Sequence, residues 1–144
     1  MAGYKSVLVA VDLTEHSDAV VRSGMEIARA CGAKFSLLHV VEYIPVEPMG
    51  EALLPAVDIE DELVEGAQHR LEDLARRLGI EDTERGVEKG TIKSEVVSVA
   101  EETGADLIVL GSKERHGIAV MLNLTEDTIL HAAPCDVLAV RIPG

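Results

Sequence analysis

The feature that most constrains the fold is an alternation: five short apolar runs recur along the chain, and each of the first four is followed by a stretch with helical spacing. The first run, Val7-Leu8-Val9-Ala10-Val11, is continuous in apolar residues and ends at Asp12. A strand apolar on both faces belongs in a parallel sheet covered on both sides, because a sheet with one wet face alternates polar and apolar residues. Strands alternating with helices predict an α/β fold.

Along the chain, Thr14 and Ser17 are N-cap residue types, and Val20, Gly24, Ile27, Ala28 and Cys31 follow at helical spacing up to Gly32. Phe35 to Val41 is the second strand. The segment 42–57 carries Pro45, Pro48, Pro55 and Gly50 and reads as a long loop, of the kind that serves as a lid, a binding loop or a mobile segment. From Asp58, the residues Ile59, Leu63, Ala67, Leu71, Leu74 and Leu78 predict a long amphipathic helix closed by Gly79. Thr83 to Lys89, with Val87 its one strongly apolar residue and with Gly86, reads as a third strand at a sheet edge. Gly90 and Thr91 open a helix that turns Ile92, Val96, Val97 and Ala100 inward and ends at Gly104. Asp106 to Leu110 is a fourth strand. After Gly111 come a polar loop, a short helix over Thr125 to Ala132, a stop at Pro134 and a fifth strand, Val137 to Val140.

At 144 residues, with no internal repeat or linker, residues 1–144 are expected to form one domain. Its 47% apolar content fills a core without a metal or disulfide. Only Tyr4, Phe35 and Tyr43 are aromatic, so the core is aliphatic and no stacking platform for single-stranded nucleic acid is available. Thirteen basic against 26 acidic side chains give a net charge of −13, which repels phosphate backbones. Nucleic-acid partners are therefore not expected. Cys31 and Cys135 read as buried apolar residues and not as a disulfide. Five apolar residues near the N-terminus are too few for a secretion signal or a membrane span, so a cytoplasmic protein without membrane association is expected.

In open parallel sheets, ligands bind beyond the carboxyl ends of the strands, where the strand order reverses. Here those ends are Asp12, Val41 and Gly111. Asp12 has two readings, a solvated carboxylate beside a helix N-terminus or an acceptor for a ligand. The segment Gly111-Ser112-Lys113-Glu114-Arg115-His116-Gly117 gathers three potential cations, and it reads either as a solvated turn or as an anion-binding loop. It is not a Walker A loop: five residues separate Gly111 and Gly117, Ile118 follows, and that motif has four and then Lys-Ser or Lys-Thr. The first strand is not followed by the glycine fingerprint of dinucleotide-binding folds.

Catalytic constellations are missing. There is no nucleophile elbow, zinc-protease helix or Cys-x-x-Cys pair, and His16, His39, His69, His116 and His131 are scattered singly. His39, at a strand end, reads as a hydrogen-bonded structural residue, and His69 and His131 as surface residues. Asp61-Glu62 and Glu101-Glu102 are adjacent on helices, point in different directions and read as solvated faces. No catalytic residue, metal site or enzymatic activity is expected.

Taken together, Val11-Asp12 before a Ser/Thr-rich turn, His39-Val40 at a strand end, Gly111-Ser112, and the closing run Ala133-Pro134-Cys135-x-Val137-Leu138-x-Val140-Arg141 resemble the universal stress protein family over the whole length. The resemblance implies a Rossmann-like, adenine nucleotide alpha hydrolase-like fold, with five parallel strands and helices on both faces. It also implies a cytoplasmic homodimer with a stress-linked regulatory role and no defined reaction.

Members of this family that bind ATP carry Gly-x-x-Gly, nine residues, then Gly-Ser or Gly-Thr. Here the pattern reads Gly111-Ser112-Lys113-Glu114, nine residues, Leu124-Thr125, so two of three glycines are replaced. A β-carbon obstructs the approach of phosphates to backbone amides, and Glu114 adds a like charge that Lys113 and Arg115 offset only in part. Asp12, Val40 as a backbone contact to adenine, Gly111, Ser112 and Thr125 still match the nucleotide site that the resemblance implies. The expectation is a regulatory protein acting through dimerisation and contacts with a protein partner, without a required cofactor and without tight ATP binding. The alternative is an ATP-binding, slowly hydrolysing member. The fifth strand, Val137, Leu138, Ala139 and Val140, carries no charge or proline to protect an edge and is the candidate dimer interface, unless a helix or loop covers it.

Overall fold

The computed structural model describes residues 3–42, 53–113, 129 and 131–142. Its elements run β1 (Ser6–Ala10), α1 (Ser17–Cys31), β2 (Lys34–Val41), α2 (Leu53–Arg77), β3 (Glu84–Lys89), α3 (Ile92–Thr103), β4 (Leu107–Lys113) and β5 (Asp136–Ile142). All strand pairs are parallel, in the order β3-β2-β1-β4-β5. The chain winds outward from β1 to β3, then crosses back through α3 to the other side of β1.

The continuous apolar run of β1 has the predicted cause. Val7, Val9 and Val11 point to one face, where they are buried with Val20, Val21 and Ala28 of α1 and Leu71 and Leu74 of α2. Leu8 points to the other face and packs with Val96 and Ala100 of α3 and with Ile129. Central strands therefore bury both faces, each Val or Leu contributing about 1.5–3 kcal/mol relative to exposure.

Gly24 sets the distance between α1 and the sheet. A β-carbon there would lie 2.5 Å from Val9 Cγ2 and 3.2 Å from the Phe35 ring. Helix α1 ends at Gly32 (φ 66°), whose N–H closes on the Arg29 carbonyl, and α3 begins at Thr91, whose hydroxyl accepts from the Ser94 N–H.

β3 lies at the sheet edge, as its polar sequence predicts. Arg85 clamps it to α2: the guanidinium makes two hydrogen bonds to the Glu72 carboxylate (2.9 and 2.8 Å) and two more to the carbonyls of Glu81 and Thr83. This pairing holds the guanidinium above, and the Glu72 carboxyl below, its ordinary pKa.

Several expectations are corrected. Helix α2 starts at Leu53 rather than Asp58, so 53–57 are helical and not loop; Pro55 fits the first turn because its absent N–H would have no partner inside the helix. Residues 43–52 of the expected loop lie outside the described residues. The inward stripe of α2 begins at Ala67: Ile59 and Leu63 are 42% and 39% exposed. The N-cap of α1 is His16, without a side-chain cap, in place of Thr14 or Ser17. Cys31, on the last residue of α1 beyond the buried stripe, is exposed, and Cys135 is half-buried; both are free thiols. Partial burial pushes the Cys135 thiol upward. Of the short helix expected over 125–132, Ile129, His131 and Ala132 are helical and the rest lies outside the described residues.

Candidate functional site

The sheet divides at its C-terminal edge. β1 and β4 pair only as far as Val9 opposite Val109. Beyond that point β1 continues with β2 to Ala10 opposite Leu38, while β4 continues with β5 to Lys113 opposite Ile142. The strand order reverses between β1 and β4 at this edge, the position at which a ligand crevice is expected in such sheets.

Asp12, Val40, Gly111, Ser112 and Lys113, expected at the site, all lie on this edge. Gly111, Ser112 and Lys113 are not loop residues: they extend β4 against Val140, Arg141 and Ile142. The reason is β5, which spans Asp136–Ile142 rather than Val137–Val140 and supplies ladder partners for three more residues. Arg115 and Thr125 lie outside the described residues, as do Glu114, His116 and Leu124.

Asp12 organises the turn into α1. Its Oδ1 accepts from the Thr14 N–H (3.1 Å), the Thr14 hydroxyl (2.8 Å) and the Ser17 hydroxyl (3.0 Å). Ser17 is 2% exposed, so the carboxylate also satisfies a buried hydroxyl. The turn includes Leu13 at φ 59°, a left-handed conformation uncommon outside glycine. The carboxylate thus holds the turn, just after the end of β1 where the crevice is expected.

Val40 is buried on the α3 side of the sheet. It stands opposite Glu88 of β3, and the β1 ladder stops two residues short of it. Its neighbour His39 is hydrogen-bonded, as read from the sequence: Nδ1 lies 2.7 Å from the Val11 carbonyl. A carbonyl only accepts, so Nδ1 carries the proton. Burial pushes the His39 pKa below the usual histidine value, with Arg70 adding to the effect and the Val11 carbonyl and Asp12 opposing it.

The sequence reading did not identify a cleft of ≈ 480 Å³ between the start of α1 and α2, lined by Thr14, Ser17, Asp18, Arg70, Asp73 and Arg77 among others. Its charges are largely mutual: Arg77 pairs with Asp18 at 2.7 Å and Arg76 with Asp73 at 3.0 Å. The Arg77 hydrogen bond holds the Asp18 carboxyl below its ordinary value. The signal in the sequence was the spacing of Arg70, Asp73 and Arg77, which places them on one face of a helix.

At the opposite, N-terminal edge, Asp106 accepts from the Lys5 and Ser6 N–H groups (2.9 Å each), and Tyr4 donates to Asp136 at 2.8 Å. These contacts tie β1, β4 and β5 together. Among the described residues, no group of acidic, histidine or cysteine side chains is arranged to hold a metal, and no helix is long and apolar enough to cross a membrane.

Comparison with known proteins agrees with this architecture. The chain is 38% identical to universal stress protein A homolog 2 of Coxiella burnetii, across all of this chain and 99% of that protein. Among solved structures, universal stress protein UspA from Lactobacillus plantarum superposes with a TM-score of 0.80 at 23% identity, covering 98% of this chain and all of that one. A universal stress protein solved in complex with cAMP has a TM-score of 0.61 at 23% identity, covering 96% and 98%. The sequence model of the universal stress protein family matches residues 3–141, and on this match and the 38% identity the chain belongs to that family.

Proposed function

We propose that this universal stress protein is a cytoplasmic, non-enzymatic regulatory protein that acts as a homodimer through contacts with a protein partner and without tight ATP binding. The observation that carries the reading is β5. It ends the strand order, pairs on one side with β4, and bears Leu138 at 37% exposure. An apolar edge strand of this kind favours pairing with a copy of itself across a two-fold axis. Asp136 and Arg141 lie toward the strand's ends, leaving Val137 to Val140 as an uncharged centre.

Two further facts support the reading. Glu114 and Leu124 stand where the resemblance implies glycine in the nucleotide-binding members. A net charge of −13 favours a protein partner over nucleic acid.

Light scattering at micromolar concentration tests the dimer. The wild type is expected at twice the chain mass and Leu138→Lys, which puts a charge on the edge, at the chain mass. A monomeric wild type would refute the reading.

One observation favours a second reading, in which a nucleotide occupies the crevice. Asp12 follows the end of β1 and Val40 lies near the C-terminal end of the neighbouring β2, the same edge of the sheet, and a structure with this fold holds cAMP. A ligand with a single phosphate depends less on the altered glycine positions than ATP does. Nucleotide released on denaturing the purified protein would favour this alternative.

A further inference from the structure

We propose that His39 is a positioning residue for the Asp12 carboxylate, its ring holding the end of β1 in the one geometry that presents Asp12 to the crevice. The inference deepens the crevice reading above, and its functional consequence rests on that reading.

The geometry is two contacts across the end of the ladder, followed directly by the Asp12 turn. The Val11 N–H donates to the Leu38 carbonyl at 2.8 Å. The Val11 carbonyl, which in a longer parallel ladder would accept from a backbone amide of β2, accepts instead from the His39 ring at 2.7 Å. Immediately afterwards the chain leaves the sheet, Leu13 adopts its left-handed conformation, and Asp12 Oδ1 collects three donors from Thr14 and Ser17. Val11 is thus gripped twice by β2, once by backbone and once by a side chain. A turn containing a left-handed leucine persists only where its surroundings over-determine it.

His39 lies on the same sheet face as Val9 and Val11, beneath α2. The charged groups acting on it are Arg70 from α2 and Asp12 from the end of β1. On β3 its register partner is the uncharged Val87. Burial favours the neutral ring, which donates through Nδ1. Protonation would put a second cation near Arg70 in a half-buried site while leaving the Nδ1–H donor in place, and the added charge would strengthen the pull on the Val11 carbonyl and on Asp12. The Asp12 turn is therefore expected to respond to acidification before the fold does.

The test is an amide NMR titration of the ligand-free full chain from pH 7.5 to pH 5.0. In the wild type, the Leu13 and Thr14 amide signals are expected to move with the His39 ring titration, at a pKa below 6.5. In His39→Asn, whose side-chain amide supplies a donor near the Nδ1 position and does not titrate, these signals should stay near their neutral-pH positions. In His39→Leu they should be displaced at every pH. Leu13 and Thr14 signals that ignore the His39 titration would overturn the proposal, as would a folded His39→Leu with wild-type signals. If His39→Leu fails to fold, the wild-type titration alone decides. No nucleotide is present, so the result stands apart from whether the crevice binds one; a separate cAMP titration at pH 7.5 reports on that reading.

Discussion

Replacing Gly24 by alanine sets two effects of known sign against each other. Alanine in a helix interior is favoured over glycine by roughly 0.8–1.0 kcal/mol, so on an exposed face the substitution would stabilise. At Gly24, however, the new methyl would sit 2.5 Å from Val9 Cγ2 and 3.2 Å from Phe35 Cε2. Val9 is wholly buried on the central strand and its β-branched side chain has no alternative position to take up. Relief must come from moving α1 off the sheet. Overpacking of this kind costs about 1–3 kcal/mol. With the alanine preference and a small loss of packing along Val20, Val21 and Ala28 included, the net destabilisation is about 1–2 kcal/mol. At about 2–4 °C per kcal/mol for a chain of this size, the melting temperature should fall by roughly 2–8 °C. Gly66 provides the control: it lies inside α2, and a β-carbon added there would meet nothing within 4 Å, so Gly66→Ala should stabilise by about 0.5–1 kcal/mol. Urea unfolding of both variants should shift the midpoint in opposite directions at unchanged slope. Shifts of the same sign would refute the argument that contact with Val9, and not helix propensity, decides the outcome at Gly24.

Asp12→Ala removes the acceptor for one N–H and two hydroxyls and leaves the Ser17 hydroxyl buried, so urea unfolding should show a loss of about 1–3 kcal/mol, largely restored in Asp12→Asn. The Asp18 carboxyl is held below its ordinary value of 3.8 by the Arg77 hydrogen bond. Its contribution is thus present above pH 3.8 and lost as the pH falls through the lower folded-state value. Asp18→Asn should therefore be slightly less stable than wild type at pH 7, within the small range of exposed ion pairs, and equal to it near pH 2 in acid-titrated urea melts.

The fold was legible where burial is two-sided. Val7 to Val11 and Leu107 to Leu110 are continuous apolar runs because both faces of the central strands are covered. β3 was faint because its stability comes from the Arg85 clamp on Glu72 and on two carbonyls, contacts that no hydrophobic pattern records. The start of α2 was missed because Pro55 reads as a loop residue unless it falls in a first turn. The extension of β4 through Lys113 was missed because a Gly-Ser-Lys sequence pairs only when a neighbouring strand is long enough to meet it. At the site, Asp12 could be read from its place after an apolar strand. The Asp12–Ser17 bond and the grip of His39 on Val11 could not, since they join residues five and 28 positions apart.

The central claim, a regulatory dimer without tight ATP binding, is tested most directly by titration calorimetry of the wild-type protein with ATP and Mg²⁺, beside Glu114→Gly/Leu124→Gly. The account predicts no binding by wild type at sub-millimolar ATP. It predicts measurable binding by the double variant, with a matching gain in thermal stability of about 2.7 kcal/mol when ATP reaches 100 times the dissociation constant. Tight ATP binding by the wild type would contradict it.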